Sequence, residues 1–211
     1  MTAREEILNR VRRATGGDEM DRAPDYEAIV REYRHAGTLD PGARLELFAD
    51  RLHDYNATVY RCPEVKIAGS VAEALEARGK RGLVIPAGLP AEWLPAGFEF
   101  AMDRGLAYAE LDGVEGVLTG CAAAIASTGT IVLRHGAGQA RRALTLIPDY
   151  HLCVVRAGQV VETLPEGMRR VREFRTAPLT TISGPSATSD IEMTRVKGVH
   201  GPRTLDVILA E

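Results

Sequence analysis

Residues 129–156 read GTIVLRHGAGQARRALTLIPDYHLCVVR, and this stretch decides the fold class. Two parts of it, 129–133 and 151–156, are short apolar runs rich in β-branched residues, which predict buried strands. A glycine loop and an arginine-rich helical turn lie between them. Because strand, helical turn and strand follow one another in so short a span, the stretch is typical of an α/β sheet.

The same alternation continues on both sides of that stretch. Further strands are predicted at residues 57–61, 83–85, 106–111 and 205–209, and helices at 41–56, 70–78, 165–175 and 189–197. Ser70 with Glu73, and Ser189 with Glu192, form capping-box patterns that would start two of these helices. We therefore predict an α/β sheet covered by helices on both faces, with a ligand crevice beyond the carboxyl ends of the strands.

A shorter appendage precedes the predicted sheet. Thr2 and Glu5 form another capping box, and the apolar residues that follow recur at helical spacing. Residues 15–25 are polar and rich in turn-forming residues, which indicates a joint. We expect an N-terminal helix with a flexible joint at 1–25 and a main domain at 40–211.

Composition and spacing exclude several classes of function. The 211 residues include 26 Lys and Arg against 29 Asp and Glu, so a net charge of −3 gives no general attraction to nucleic acid. Cys62, Cys121 and Cys153 match no zinc or iron–sulfur spacing, and no two histidines form an HxxxH pattern. No apolar run approaches the roughly 20 residues that span a bilayer. We expect a cytoplasmic protein with no metal site, no membrane span and no nucleic-acid partner.

Three segments carry residue types that could bind a ligand. Residues 119–133 combine small side chains, hydroxyls and a tight turn that would expose backbone N–H groups. The loop at 134–142 places glycines before arginines, which suits an anion although it is neither a Walker loop nor a complete GxGxxG. Residues 183–203 add a helix start and a glycine-flanked histidine. The candidate ligand-binding residues are Thr119, Gly120, Thr128, Gly129, Thr130, Gly136, Gly138, Gly184, Ser186, Asp190, His200 and Arg203.

Each of these segments also has a purely structural interpretation. The glycines could serve only as turns, and the hydroxyls could satisfy buried backbone groups. Asp190 could be an ordinary acid in the first turn of a helix, and His200 an ordinary loop hydrogen bond. A triad of Ser186, His200 and Asp190 is disfavoured because no GxSxG turn is present. The catalytic residues, if any, are therefore left unassigned.

Four motifs together resemble the LUD-domain family, and within it the lactate-utilization protein C group. They are TGCAAAIASTGTIVL (119–133), LTLIPDYHLCVV (144–155), ISGPSATSDIE (182–192) and GVHGPRTLDVIL (198–209). The likeness covers about residues 40–209, so the main domain at 40–211 would be a LUD domain. It implies a three-layer α/β/α sandwich similar to the sugar-phosphate isomerase and CoA-transferase superfamily.

The resemblance also implies a function. The chain would be an accessory component in the oxidation of L-lactate to pyruvate, working with two iron–sulfur proteins that carry the clusters, so that this chain itself holds no cofactor. A small carboxylate or other anionic ligand, and a homo-oligomer, are further expectations.

One departure from the family bears on catalysis. The family's central motif usually has Asp at the position of Ala122 and an acidic residue at that of Ser127, so two candidate catalytic groups are missing here. Two alternatives stay open beside the accessory role. The chain could be an independent transferase or isomerase acting on a CoA ester, a folate-like compound or a phosphosugar, or it could be a scaffolding protein.

Overall fold

The computed structural model describes residues 2–15, 28–172, 177–185, 187–188, 196–197 and 201–211. It divides into two compact units, Met1–Tyr33 and Arg34–Glu211. The first unit contains helix α1 (Ala3–Ala14). Its capping box is confirmed, since Thr2 Oγ1 accepts from the backbone N–H of Glu5 and the Glu5 carboxylate accepts from the backbone N–H of Thr2 at 2.7 Å. Residues 16–25 of the predicted joint lie outside the described residues.

The second unit is built on a six-stranded parallel sheet. Its strands are β1 (Thr58–Cys62), β2 (Gly82–Ile85), β3 (Glu99–Met102), β4 (Val117–Thr119), β7 (Tyr150–Arg156) and β12 (Thr204–Ala210). They lie in the order β1-β12-β7-β4-β2-β3, and every neighbouring pair runs parallel. The predicted strands at 57–61, 83–85, 151–156 and 205–209 are thereby confirmed.

Helices cover both faces of this sheet. Helix α2 (Pro41–Asp54) packs Phe48 beside Val207 on one face, and α3 (Ile67–Ala77) packs Leu75 beside Ile208 on the other. Successive residues of a strand point to opposite faces, so the neighbours Val207 and Ile208 serve both cores. Phe48 is 0% exposed, and full burial of such a side chain contributes about 1.5–3 kcal/mol. The predicted α/β fold, a parallel sheet flanked by helices, is confirmed.

A second, four-stranded sheet lies over the α2 face. Its strands β5 (Ala123–Ile125), β6 (Thr130–Arg134), β8 (Val160–Val161) and β9 (Leu179–Ser183) lie in the order β8-β5-β6-β9. Ile131 and Ile182 of this sheet join the core that contains Phe48. Helix α5 (Leu164–Arg170) closes its outer side, where a Cβ at Gly167 would come within 2.7 Å of Ile125. The sequence predicted strand β6 but not the sheet, because β5 and β8 are too short to show a period.

Three predicted elements need correction. Residues 106–111 were expected to form a strand, but helix α4 (Tyr108–Asp112) lies there, with Leu111 buried and the Glu110 carboxylate accepting from the backbone N–H of Ala107. Helix α3 begins at Ile67 rather than at Ser70, since the side chain of Ile67 is itself part of the core, and Ser70 is therefore a buried helical residue and not a cap.

The third correction concerns the helix expected at 189–197. Strands β10 (Ala187–Thr188) and β11 (Val196–Lys197) pair as an antiparallel ribbon, so the end of that stretch is extended. Because residues 196 and 197 pair as a strand, the predicted helix does not extend to its expected end. Residues 189–195 lie outside the described residues. Among the described helices, none is long and apolar enough to cross a membrane.

Candidate functional site

A cavity of about 230 Å³ lies between the two sheets. We call it the inter-sheet cavity; it is lined by Arg142, Thr145, His151, Thr180, Thr181, Ile182, Ser183, Gly184, Pro185, Gly201, Pro202 and Leu205. Strand β9 forms one wall, and the first residues of β7 and β12 form the other. The cavity therefore lies at the amino-terminal half of the parallel sheet, whereas the sequence predicted a crevice beyond the carboxyl ends.

A buried histidine lines the sheet wall of this cavity. His151 is 1% exposed, and its Nε2 lies 2.8 Å from Oγ1 of Thr119, which is 0% exposed. The two residues are on adjacent strands, β7 and β4. Besides the contact of Nε2 with Thr119, the imidazole interacts with the thiol of Cys153, which lies two residues further along β7. Since neutral imidazole has one donor and one acceptor nitrogen, His151 can offer either function to a ligand, according to its tautomer.

Arg142 brings a positive charge to the cavity that His151 also lines. Its Nη1 donates to the carbonyl oxygen of Thr145 at 3.0 Å and to the Thr145 hydroxyl at 3.3 Å. No carboxylate of the described residues pairs with Arg142. The neighbouring Arg141 differs in this respect, because it pairs with Asp103 at 2.7 Å. Arg142 is therefore a half-buried cation whose Nε and Nη2 have no partner among the described residues.

The field of Arg142 extends to a second histidine. The Nε2 of His135 lies 2.8 Å from Oγ1 of Thr180, which lines the cavity. Burial lowers the pKa of His135, and the positive charge of Arg142 lowers the pKa further. The neutral form of His135 is favoured for both reasons.

A chain of hydroxyl groups supports the rim of the cavity. Thr128 Oγ1 lies 2.7 Å from Thr130 Oγ1, which lies 2.8 Å from Ser183 Oγ. Between the two threonines, Gly129 has φ +58°, and a Cβ there would come within 2.9 Å of Arg51 on α2. Thr128, Gly129 and Thr130 were all predicted as site residues. They join the second sheet to α2 and reach the cavity only through Ser183.

Three predicted glycines lie instead at the carboxyl edge of the parallel sheet. Gly120 donates to the carbonyl of Gly138 at 2.8 Å, and Gly138 donates to that of Ala87 at 2.8 Å. Gly136 closes the same loop by pairing with Ala140. Two shallower cavities flank this loop, with volumes of about 160 and 360 Å³.

The arginine of this loop is already paired. The guanidinium of Arg141 holds the pKa of Asp103 below its usual value, since hydrogen bonds to the charged carboxylate favour it. The same guanidinium also donates to the carbonyl of Leu106 at 2.6 Å. At the carboxyl edge the loop therefore offers an anion its backbone groups, whereas the charge of Arg141 is already compensated by Asp103.

The predicted residues do not form one constellation. Gly184 lines the inter-sheet cavity, and Thr119 supports it through His151. Arg203 lies on the surface, where it pairs with Asp149 at 2.6 Å. The positions of Ser186, Asp190 and His200 lie outside the described residues.

Thr145, His151 and Thr180 were not predicted as site residues, and Arg142 was predicted only as one of the arginines of the loop 134–142. The polar His151 inside the apolar run 150–155 was an available signal, because a histidine in a buried strand requires a partner. The contribution of Thr180 was not visible, since it depends on how β9 folds over β7.

Two cysteines lie together beneath the carboxyl edge. Cys121 and Cys153 are both buried, and Cys153 Sγ is 3.7 Å from the carbonyl oxygen of Gly120. The hydrogen bond with Cys153, together with burial, raises the pKa of Cys121. The same contact lowers the pKa of Cys153, and it outweighs the opposing effect of burial. Among the described residues, no group of three or more His, Cys, Asp or Glu is arranged to hold a metal ion.

A parallel sheet with helices on both faces, a second sheet and a small polar cavity define an α/β protein with a candidate ligand site between its sheets. The family model for the LUD domain matches residues 87–210. Lactate utilization protein C of Deinococcus radiodurans is 45% identical over 98% of this chain and 95% of its own length. The chain belongs to the LUD-domain family, which confirms the resemblance inferred from the sequence motifs.

Other relatives agree with this assignment. An uncharacterized protein of Neisseria meningitidis is 27% identical over 100% of this chain and 94% of its own length. The crystal structure of a DUF162 family protein from Deinococcus radiodurans superimposes with a TM-score of 0.72 and 44% identity, covering 82% of this chain and 100% of that one. The fold is thus shared with a solved structure of closely similar sequence.

Proposed function

We propose that this chain takes part in lactate utilization, as an accessory component of a system that oxidises L-lactate to pyruvate. The observation that carries the proposal is the 45% identity to a lactate utilization protein C over 98% of the chain. A match of that extent includes both the sheet and the residues of the inter-sheet cavity.

The two positions where the family usually has acids support an accessory role. Ala122 packs against the core of the second sheet, and Ser127 is exposed, with its backbone N–H donating to the carbonyl of Glu162 at 3.0 Å. Neither residue lines the inter-sheet cavity. A carboxylate nucleophile or base is therefore not supplied from either position.

The electron transfer belongs, in this proposal, to two iron–sulfur partner proteins in the cytoplasm. Oxidation of lactate to pyruvate removes two electrons, which iron–sulfur clusters can accept one at a time. The support is the family resemblance, together with the spacing of Cys62, Cys121 and Cys153, which matches no cluster motif.

An independent enzyme acting on an anionic substrate is the second candidate. The observation in its favour is that Arg142 has no carboxylate partner among the described residues and lines the same cavity as His151. The cavity volume of about 230 Å³ limits this candidate, because sites for larger organic ligands usually measure about 300–1,000 Å³. A whole CoA ester or folate would not be enclosed there.

Co-purification tests the proposed assembly. The chain, carrying an affinity tag at its native chromosomal locus, would be isolated from cells grown on L-lactate, with an untagged strain as the control. We expect the two iron–sulfur lactate-utilization proteins to be enriched with it and to bring visible cluster absorbance. Recovery of the chain without either protein, from cells that express both, would contradict the assembly.

A further inference from the structure

We propose that the inter-sheet cavity binds a short-chain 2-hydroxy- or 2-oxocarboxylate, with the carboxylate on Arg142 and the neighbouring oxygen on His151. The preference for a carboxylate over other anions rests on the proposed role in lactate utilization. The location of the site rests on the geometry alone.

The unpaired charge of Arg142 is the first feature that favours an anion in this cavity. A half-buried guanidinium normally has an anionic partner, because removing a charge from water is costly unless another charge compensates it. Arg141 and Arg203 each have such a partner, at 2.7 and 2.6 Å. Arg142 has none among the described carboxylates, and it lines a cavity. A bound anion would supply the missing partner.

The orientation of Arg142 is the second feature that favours an anion in this cavity. Its Nη1 is held by the carbonyl oxygen and the hydroxyl of Thr145, while Nε and Nη2 make no hydrogen bond with described residues. Nε and Nη2 form one edge of the planar guanidinium, and such an edge matches the two oxygens of a carboxylate. The ligand would therefore find a preoriented pair of donors.

His151 supplies the third feature, a ring nitrogen that can donate to or accept from the ligand. Its Nε2 is engaged with Thr119, a hydroxyl that can either donate or accept, so both neutral tautomers are accommodated. With one tautomer Nδ1 accepts from the hydroxyl of a 2-hydroxy acid, and with the other it donates to the carbonyl of a 2-oxo acid. The site would thus recognise both members of such a pair.

The volume of the cavity sets the size of the ligand. At about 230 Å³ it is smaller than the sites of drug-sized ligands and suits a compact organic acid. The wall opposite His151 is formed by β9, including Thr180 and Ile182, which limits the space for a longer carbon chain.

Calorimetric titration of the purified full-length chain tests this site. Sodium L-lactate, sodium pyruvate, sodium acetate and inorganic phosphate would be titrated separately at constant ionic strength. We expect saturable binding of lactate and pyruvate, weaker binding of acetate, which lacks the second oxygen, and no saturable binding of phosphate. Binding of phosphate alone, or equal affinity for lactate and acetate, would overturn the assignment.

Variants locate the binding. We expect Arg142→Gln to weaken lactate binding at least about tenfold, the loss typical of one charge-assisted hydrogen bond. Arg104→Gln is the matched control, because Arg104 is exposed and does not line the cavity. If Arg142→Gln fails to fold, Arg142→Lys keeps the charge but not the fork and should also bind more weakly. Unchanged affinity in the folded Arg142 variant would overturn the site.

The outcome is separable from that of the proposed function. If the chain binds the carboxylates but its deletion leaves growth on lactate intact, the proposed function is refuted and the proposed site stands. A growth defect in a chain that binds neither acid would refute the site and keep the function.

Discussion

Arg78 and Asp206 form a two-point ion pair beside the parallel sheet, with Nε to Oδ2 at 2.9 Å and Nη2 to Oδ1 at 2.6 Å. The Asp206 side chain is 0% exposed, and it lies on β12, an interior strand of the parallel sheet. Tyr150 of the neighbouring strand donates its hydroxyl to Oδ2 at 3.0 Å. Burial and the nearby Asp206 charge raise the pKa of Tyr150, so its hydroxyl stays protonated as a donor. The buried carboxylate of Asp206 is thus paired with one guanidinium and accepts a further hydrogen bond from a neutral hydroxyl.

We predict that Arg78→Met destabilises the fold, because Asp206 is then a buried charge without its partner. The expected loss in the free energy of unfolding is at least about 2 kcal/mol, since solvent near Arg78 reduces the usual cost of about 3–5 kcal/mol. Urea denaturation at neutral pH measures it. The exposed pair of Arg203 with Asp149 is the control, and Arg203→Met should leave the unfolding free energy nearly unchanged. Equal effects of the two substitutions would contradict this account.

Asp103 predicts a pH dependence of stability. Its pKa is lowered in the folded chain, mainly by hydrogen bonds from Arg141, so the charged form stabilises the fold. A depressed pKa contributes stability that is complete above the unfolded value of about 3.9 and is lost as pH falls through the folded value. We expect Asp103→Asn to be destabilising at pH 7, with the difference from wild type shrinking below about pH 4. The exposed Asp50→Asn should show no such convergence in urea denaturation across this pH range.

Gly184 predicts a steric requirement at the rim of the cavity. Its φ is +79°, and a Cβ there would lie 2.4 Å from Cβ of Tyr55. Gly184→Ala should therefore lower the free energy of unfolding by more than about 1 kcal/mol. Gly158→Ala is the matched control, because a Cβ at Gly158 meets nothing within 4 Å. Thermal unfolding compares the two, and a neutral Gly184→Ala would show that the rim is less closely packed than described.

The hydrogen bond between Thr119 and His151 predicts a further loss of stability. Thr119→Val keeps the shape of the side chain but leaves Nε2 of the buried His151 without a partner. We expect a loss of about 1–3 kcal/mol, the usual cost of an unsatisfied buried polar group. Thr181→Val serves as the control because Thr181 is exposed on β9. If both variants unfold at the same urea concentration, the hydrogen bond contributes nothing.

Elements with continuous apolar sequence could be predicted, and short or tertiary-dependent elements could not. Strands β7 and β12 were predictable because each is buried on both faces and is mainly apolar, with His151 in β7 and Asp206 in β12 as the buried polar exceptions. Helix α4 was mistaken for a strand, since its five residues are too few to show a helical period.

The candidate site was only partly predictable for the same reason. Glycines such as Gly184 are visible in the sequence as turn residues, whatever their surroundings. Arg142 and His151 line one cavity with residues of β9, and no local pattern encodes the fold of β9 over the start of β7. The missing carboxylate partner of Arg142 is likewise a property of the folded chain.

The central claim is that this chain is required for lactate utilization, and growth of a deletion strain tests it most directly. The strain would be grown with L-lactate as the sole carbon source and, in parallel, with glucose. We predict that growth on L-lactate is lost, that growth on glucose is unchanged, and that the wild-type chain supplied in trans restores growth on L-lactate. Growth of the deletion strain on L-lactate at the wild-type rate would contradict the claim.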